Sequence, residues 1–133
     1  MINKKIINPN RVRRIEGGFG FIPHRFLTDG FIHLLNRKEL ILYFFLILAS
    51  DRYGLSFYSY DAICSCLELC VEDYIAARDN LIKKDLIAFD GTLFQVLSLP
   101  ERPVSKSGQA REEGLFRITS LVRQSLWRDE DGR

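Results

Sequence analysis

The sequence predicts a mainly α domain with a small β-hairpin, an α+β chain, on three observations. A length of 133 residues with 47% hydrophobic and 27% charged side chains suits one packed core with short tails and is too small for most two-domain enzymes. Helix-capping signals and helical apolar spacing recur between residues 23 and 84. Two short apolar runs then flank Asp90-Gly91, a dipeptide favoured in hairpin turns because Gly tolerates positive φ.

The elements follow in order. Gly17, Gly18 and Gly20 loosen the entry to the body. Pro23 suits a first helical position, and Phe26, Leu27, Phe31, Leu34 and Leu35 lie at near-helical spacing, interrupted by Gly30. Asn36 with Glu39 three residues later resembles a capping box, so a helix is expected from there to about Arg52, before Gly54. It contains the apolar run Leu40 to Ala49, with Phe44, Phe45, Leu46 and Ile47 at its heart. A helix apolar on every face has to be surrounded, which makes it the centre of the core.

Leu55 to Tyr58 is a short extended candidate. Ser59 can cap the next helix, whose expected buried face is Ala62, Ile63, Cys66 and Leu67. A turn at Glu68 and Leu69 leads to a helix from about Val71 to Lys84, with Leu81, Tyr74 and Ala77 inward. Its acids Glu72 and Asp73 fall in the first turn and Lys83 and Lys84 in the last, as the helix dipole prefers. Leu86 to Phe89 and Thr92 to Leu99 form the hairpin around a two-residue turn. The expected organisation is a basic arm (1–18), a folded body (19–99), a linker (100–114) and an amphipathic helix with its tail (115–133).

The order helix, helix, short strand, helix, turn, helix, hairpin is that of a winged helix-turn-helix. The stretch SYDAICSCLELCVEDYIAARDNLIKKDLI resembles the winged-helix pattern, with Leu81 at its Leu position and Asp85-Leu86-Ile87 where Gly-Leu-Ile is usual. Asp tolerates left-handed geometry better than most residues, so the departure is mild. The upstream FIPHRFLTDGFIHLLNRKELILYFFLILASDRYG is similar to the first helices of bacterial and plasmid replication-initiation winged helices of the DnaD amino-terminal kind. The resemblance covers residues 21–99. It implies DNA binding, with the second helix of the pair in the major groove and the hairpin wing beside it.

Charge qualifies that expectation. The net charge of +2 is unevenly spread: residues 1–14 carry five cations and no acid, and residues 15–99 carry seven cations and eleven acids. On the expected recognition helix, Glu72, Ala76, Asp79 and Lys83 face outward, with Asn80 at the edge. Asn80 can read adenine and Lys83 guanine, but phosphate contacts supply most of the affinity and acids oppose them. The wing, Leu86 to Leu99, has no cation. The candidate DNA-binding residues are therefore Arg11, Arg13 and Arg14 of the arm, then Asn80, Lys83 and Lys84. Glu72 and Asp79 are candidates for docking a basic protein partner.

Other chemistries find little footing. Cys64 and Cys66 are two apart on a helix and point about 160° apart, unlike the C-x₂₋₄-C turn of a zinc site; Cys66 is expected in the core and Cys70 near the buried side of the turn. Gly17-Gly18-Phe19-Gly20 lacks the Lys and Ser/Thr of a phosphate loop. No carboxylate pair or Ser, His and Asp set stands in a recognisable context, so no catalytic residue, metal, cofactor or small-molecule substrate is expected. Three clustered cysteines suggest a reducing cytoplasm. The start lacks a signal peptide's apolar core, and the ten-residue run Leu40 to Ala49 is short for a membrane span.

In the tail, Leu115, Ile118, Leu121, Val122 and Leu126 repeat at helical spacing while Arg117, Gln124 and Arg128 fall elsewhere. That stripe needs a cover: the body, a second copy in a dimer, or another protein. The expectation is a non-enzymatic, DNA-associated winged-helix module, bacterial or carried on a mobile element, acting in replication, mobility or transcription control. The alternative is a winged helix that binds proteins and does not read DNA.

Overall fold

A computed structural model of the protein describes residues 2–104. The described residues form a mixed α and β fold: α1 (Arg25–Thr28), α2 (Arg37–Ala49), β1 (Leu55–Ser56), α3 (Tyr60–Leu67), α4 (Val71–Lys83), β2 (Ile87–Phe89) and β3 (Phe94–Val96). Single 3-10 turns lie at Pro9–Arg11 and Phe31–Leu34. The strands form one antiparallel sheet in the order β1-β3-β2, with Ser56 opposite Phe94 and Phe94 opposite Phe89.

Capping places the helices. At α2 the capping box is complete: the Asn36 side chain accepts from the Glu39 N–H at 2.9 Å, and the Asn36 N–H donates to Glu39 Oε1 at 3.3 Å. Gly30, at φ +87°, separates α1 from the 3-10 turn before α2. α2 ends at Ala49, short of Arg52, because Ser50 leaves the helix and donates its hydroxyl to Ile47 O at 2.8 Å. Asp51 Oδ1 then accepts from the N–H groups of Tyr53 and Leu55 and turns the chain into β1.

The Ser59 side chain caps α3 through the Ala62 N–H. Glu68, at φ +55°, ends it, and the Leu69 N–H reaches back to Cys64 O. α4 ends the same way. Asp85 stands at φ +63°, with its N–H on Ile82 O and that of Leu86 on Leu81 O, a Schellman motif on an Asp where Gly is usual.

The core gathers Phe26, Phe31, Leu42, Tyr43, Leu46, Ile63, Tyr74, Leu81, Leu86 and Phe94. Phe26 stacks on Tyr43 at 5.2 Å between ring centroids, and burial pushes the Tyr43 hydroxyl up to about 12. Arg25 fastens the chain beyond the sheet: its guanidinium donates to Pro100 O at 2.8 Å and Glu101 O at 3.2 Å and bonds Asp29.

Four expectations are corrected. α2 is not surrounded, for Ile41, Phe44 and Leu48 are 42%, 48% and 77% exposed, and Phe45 is only partly buried; Leu42, Tyr43, Leu46 and Ile47 make its inner face. On α3 the inward arc is centred between Ile63 and Cys64, with Leu67 beside it, which rotates Ala62 and Cys66 to the surface. Cys70, at the start of α4, is exposed as well. The hairpin loop has four residues, Asp90 to Leu93, instead of two. Asp90 Oδ1 accepts from the Thr92 and Leu93 N–H groups at 2.8 and 2.7 Å, and this side-chain turn replaces the tight one.

Candidate nucleic-acid interface

The arm is exposed from Ile2 to Phe19. Within it Asn8 caps the 3-10 turn Pro9–Arg11, accepting from the Asn10 N–H at 3.1 Å, and Val12 continues extended. Arg11, Arg13 and Arg14 are all at the surface. Guanidinium groups presented this way can bond phosphate oxygens in a planar, bidentate fashion.

α4 divides its polar residues differently from the sequence expectation. Glu39, 2% exposed, sits at the start of α2 beneath the end of α4. Asn80 Nδ2 donates to its Oε2 at 3.0 Å, and Lys84 Nζ donates to its Oε1 at 2.5 Å and to Leu34 O at 2.6 Å. With the two bonds from Asn36, this carboxylate joins three segments. A buried charge is tolerated only when paired and hydrogen-bonded, and Asn80 and Lys84 are the groups that satisfy it. Both therefore face the body, and Lys83 is the exposed cation at this end of α4.

The outward face of α4 carries Val71, Glu72, Ile75, Ala76, Ile82 and Lys83 at the surface. Asp79 pairs with Arg78 at 3.1 Å, and Asp73 with Lys38 at 2.8 Å. The Lys38 hydrogen bond holds the Asp73 carboxyl below the usual range. The face is thus less acidic than a count of carboxylates suggests, and more apolar.

A groove of about 430 Å³ went unnoticed in the sequence. It lies between the end of β1, α3, α4 and the hairpin loop, and Phe57, Tyr58, Tyr60, Tyr74, Arg78 and Phe89 are among its lining residues. The Arg78 guanidinium stands 5.5 Å from the Tyr74 ring and 5.2 Å from that of Phe89, cation–π geometry. The aromatic run Phe57-Tyr58-Ser59-Tyr60 was its one signal in the sequence.

Leu115, Ile118 and Val122, with the expected tail helix, lie outside the described residues. No helix among the described residues is long and apolar enough to cross a membrane. No protein-family model, curated protein or solved structure matches the chain.

Proposed function

We propose that the chain is a winged helix-turn-helix module that associates with DNA without catalysing a reaction, holding the duplex chiefly through its basic arm. The observation that carries this reading is the exposure of Arg11, Arg13 and Arg14 on an arm whose first fourteen residues hold five cations and no acid, ahead of a body with an excess of acids. The helix, turn, helix and hairpin order supports it, as does the resemblance to replication-initiation winged helices. Lys83 adds a contact at the end of α4. The setting proposed is the cytoplasm of a bacterium, in replication, mobile-element or transcription control.

The test is a titration of unrelated duplexes at two salt concentrations. Replacing Arg11, Arg13 and Arg14 by Ala weakens binding to all sequences alike and flattens the salt slope by up to about 0.9 per lost phosphate contact. Unchanged affinity and slope would leave the arm without a role in binding.

A second reading, a protein-docking winged helix, is favoured by α4, which turns Asn80 and Lys84 inward and exposes Val71, Ile75 and Ile82. In that case changing Glu72 and Asp79 to Gln leaves DNA affinity alone and slows association with a basic partner protein. A tenfold gain in DNA affinity from the same change would place α4 against the duplex instead.

A further inference from the structure

The outer face of α2 is apolar, with Ile41, Phe44 and Leu48 exposed along it and partly buried Leu40 and Phe45 at its edges. Spacing alone does not single it out, since Tyr74, Ala77 and Leu81 follow similar steps. Exposure does, because those three are buried. Gly20 carries the chain across Ile47 near the end of the helix. Its neighbours Phe19 and Phe21, 62% and 72% exposed, enlarge the apolar surface there.

The face is also ordered in charge. At 100° per residue, Arg37, Ile41, Phe44 and Leu48 fall within an arc of about 60°, so the exposed Arg37 opens the apolar stripe. Asp51, exposed and three residues past Leu48, closes it. The Tyr53 and Leu55 N–H groups on its Oδ1 hold that carboxylate in place. The stripe thus runs from a cation to an anion with apolar side chains between.

We propose that two copies of the chain pair through this face, α2 against α2 in antiparallel order about a two-fold axis near Phe44. A two-fold pair needs one patch that is complementary to itself. Turned about that axis, the stripe sets Phe44 opposite the partner's Phe44, Ile41 opposite the partner's Leu48, and Arg37 opposite the partner's Asp51 at both ends. A parallel pair would instead oppose like charges at each end, which disfavours it. At roughly 200 Å² for a buried ring, Phe19, Phe21 and Phe44 alone leave about 350 Å² uncovered. Ile41, Leu48 and the polar rim bring the face toward the roughly 800 Å² per partner of a standard interface. The pairing is therefore weak and grows with concentration. It does not rest on the arm holding DNA.

Sedimentation of the full chain tests the proposal. The mass rises from monomer to dimer within the range of about 1 μM to 1 mM, that of weak pairs. Leu48→Asp, at a mostly exposed position, keeps cooperative melting and stays monomeric throughout. Arg37→Glu separates pairing from folding. An acid in the first turn suits the helix dipole, so melting of the dilute monomer does not fall. The same Glu meets the partner's Asp51, and dimerisation weakens at least about tenfold. Arg37→Lys retains it. A chain that stays monomeric to the top of the range would overturn the proposal, whatever else covers the face. So would a dimer that survives Leu48→Asp, and a dimer indifferent to Arg37→Glu would refute the antiparallel register.

Discussion

α2 and α4 are both thirteen residues long and pack against each other, yet they carry opposite kinds of information. α4 is amphipathic: Tyr74, Ala77 and Leu81 point inward, and their spacing states its orientation in advance. α2 is apolar almost all round, so its sequence gives no phase. What orients α2 is polar. Glu39 can be buried only where Asn36, Asn80 and Lys84 meet it, and that choice turns Leu42 and Leu46 inward and Ile41, Phe44 and Leu48 outward. The lesson is that a uniformly hydrophobic helix is positioned by its one demanding polar group.

The sharpest way to break this contrast is to remove that group. Glu39→Ala takes the carboxylate from Asn80 and from Lys84, which has 23% of its side chain exposed and keeps only Leu34 O as acceptor. Stripping one partner from a buried pair costs on the order of 3–5 kcal/mol, a large share of the roughly 5–15 of a whole domain. Urea denaturation measures it; a loss under about 1 kcal/mol would show that the carboxylate does not orient α2.

The helix starts differ in a second, smaller way. Asn36 caps α2 fully, whereas Cys70 makes no side-chain cap bond at α4. Asn36→Ala should lower stability by about 0.5–2 kcal/mol, and Cys70→Ser should raise it by up to about 1. Thermal melting of the two variants reads opposite signs; equal signs would mean that the starts are equivalent.

The smallest effect comes from the Lys38–Asp73 pair, which ties the first turns of both helices together. The hydrogen bond between them lowers the Asp73 carboxyl and raises the Lys38 ammonium. A lowered carboxyl contributes stability that is present above its unfolded value and lost as pH falls through the folded one. A raised ammonium contributes stability that is present below its unfolded value and lost as pH rises through the folded one. The pair is therefore intact across neutral pH and fails below the usual Asp range and above the usual Lys range. Melting temperatures followed from neutral to acid pH should fall less steeply in Asp73→Asn than in the wild type. Identical slopes would remove the pair from the account.

Local signals carried much of the fold. Asn36 with Glu39, Ser59, and the Tyr74, Ala77 and Leu81 face were legible because each depends on neighbours within a turn or two. Contacts distant in sequence were not. Asn80 and Lys84 read as free polar groups on α4, since nothing local says that a carboxylate 41 and 45 residues earlier claims them. The four-residue hairpin loop escaped for a subtler reason: Asp90 favours the tight turn by type, but its carboxylate captured two N–H groups and lengthened the loop. Of the candidate interface, the arm was visible as composition. The groove around Arg78 was not, because it exists only once β1, α4 and the hairpin loop converge.

Gly20 gives the arm a fixed pivot. A Cβ at this position would stand 2.5 Å from Ile47 O, so the backbone passes over the last turn of α2 with no room for a side chain. Arg14 is six residues from that pivot and Arg11 nine, which confines the arginine cluster to a radius of about 30 Å around one end of the central helix. The arm is thus a leash of set length, and under the proposed function a phosphate backbone held by it would lie beside that end of the body however the duplex is turned. Gly20→Ala would shift the anchor point and, with it, the ground the leash can cover.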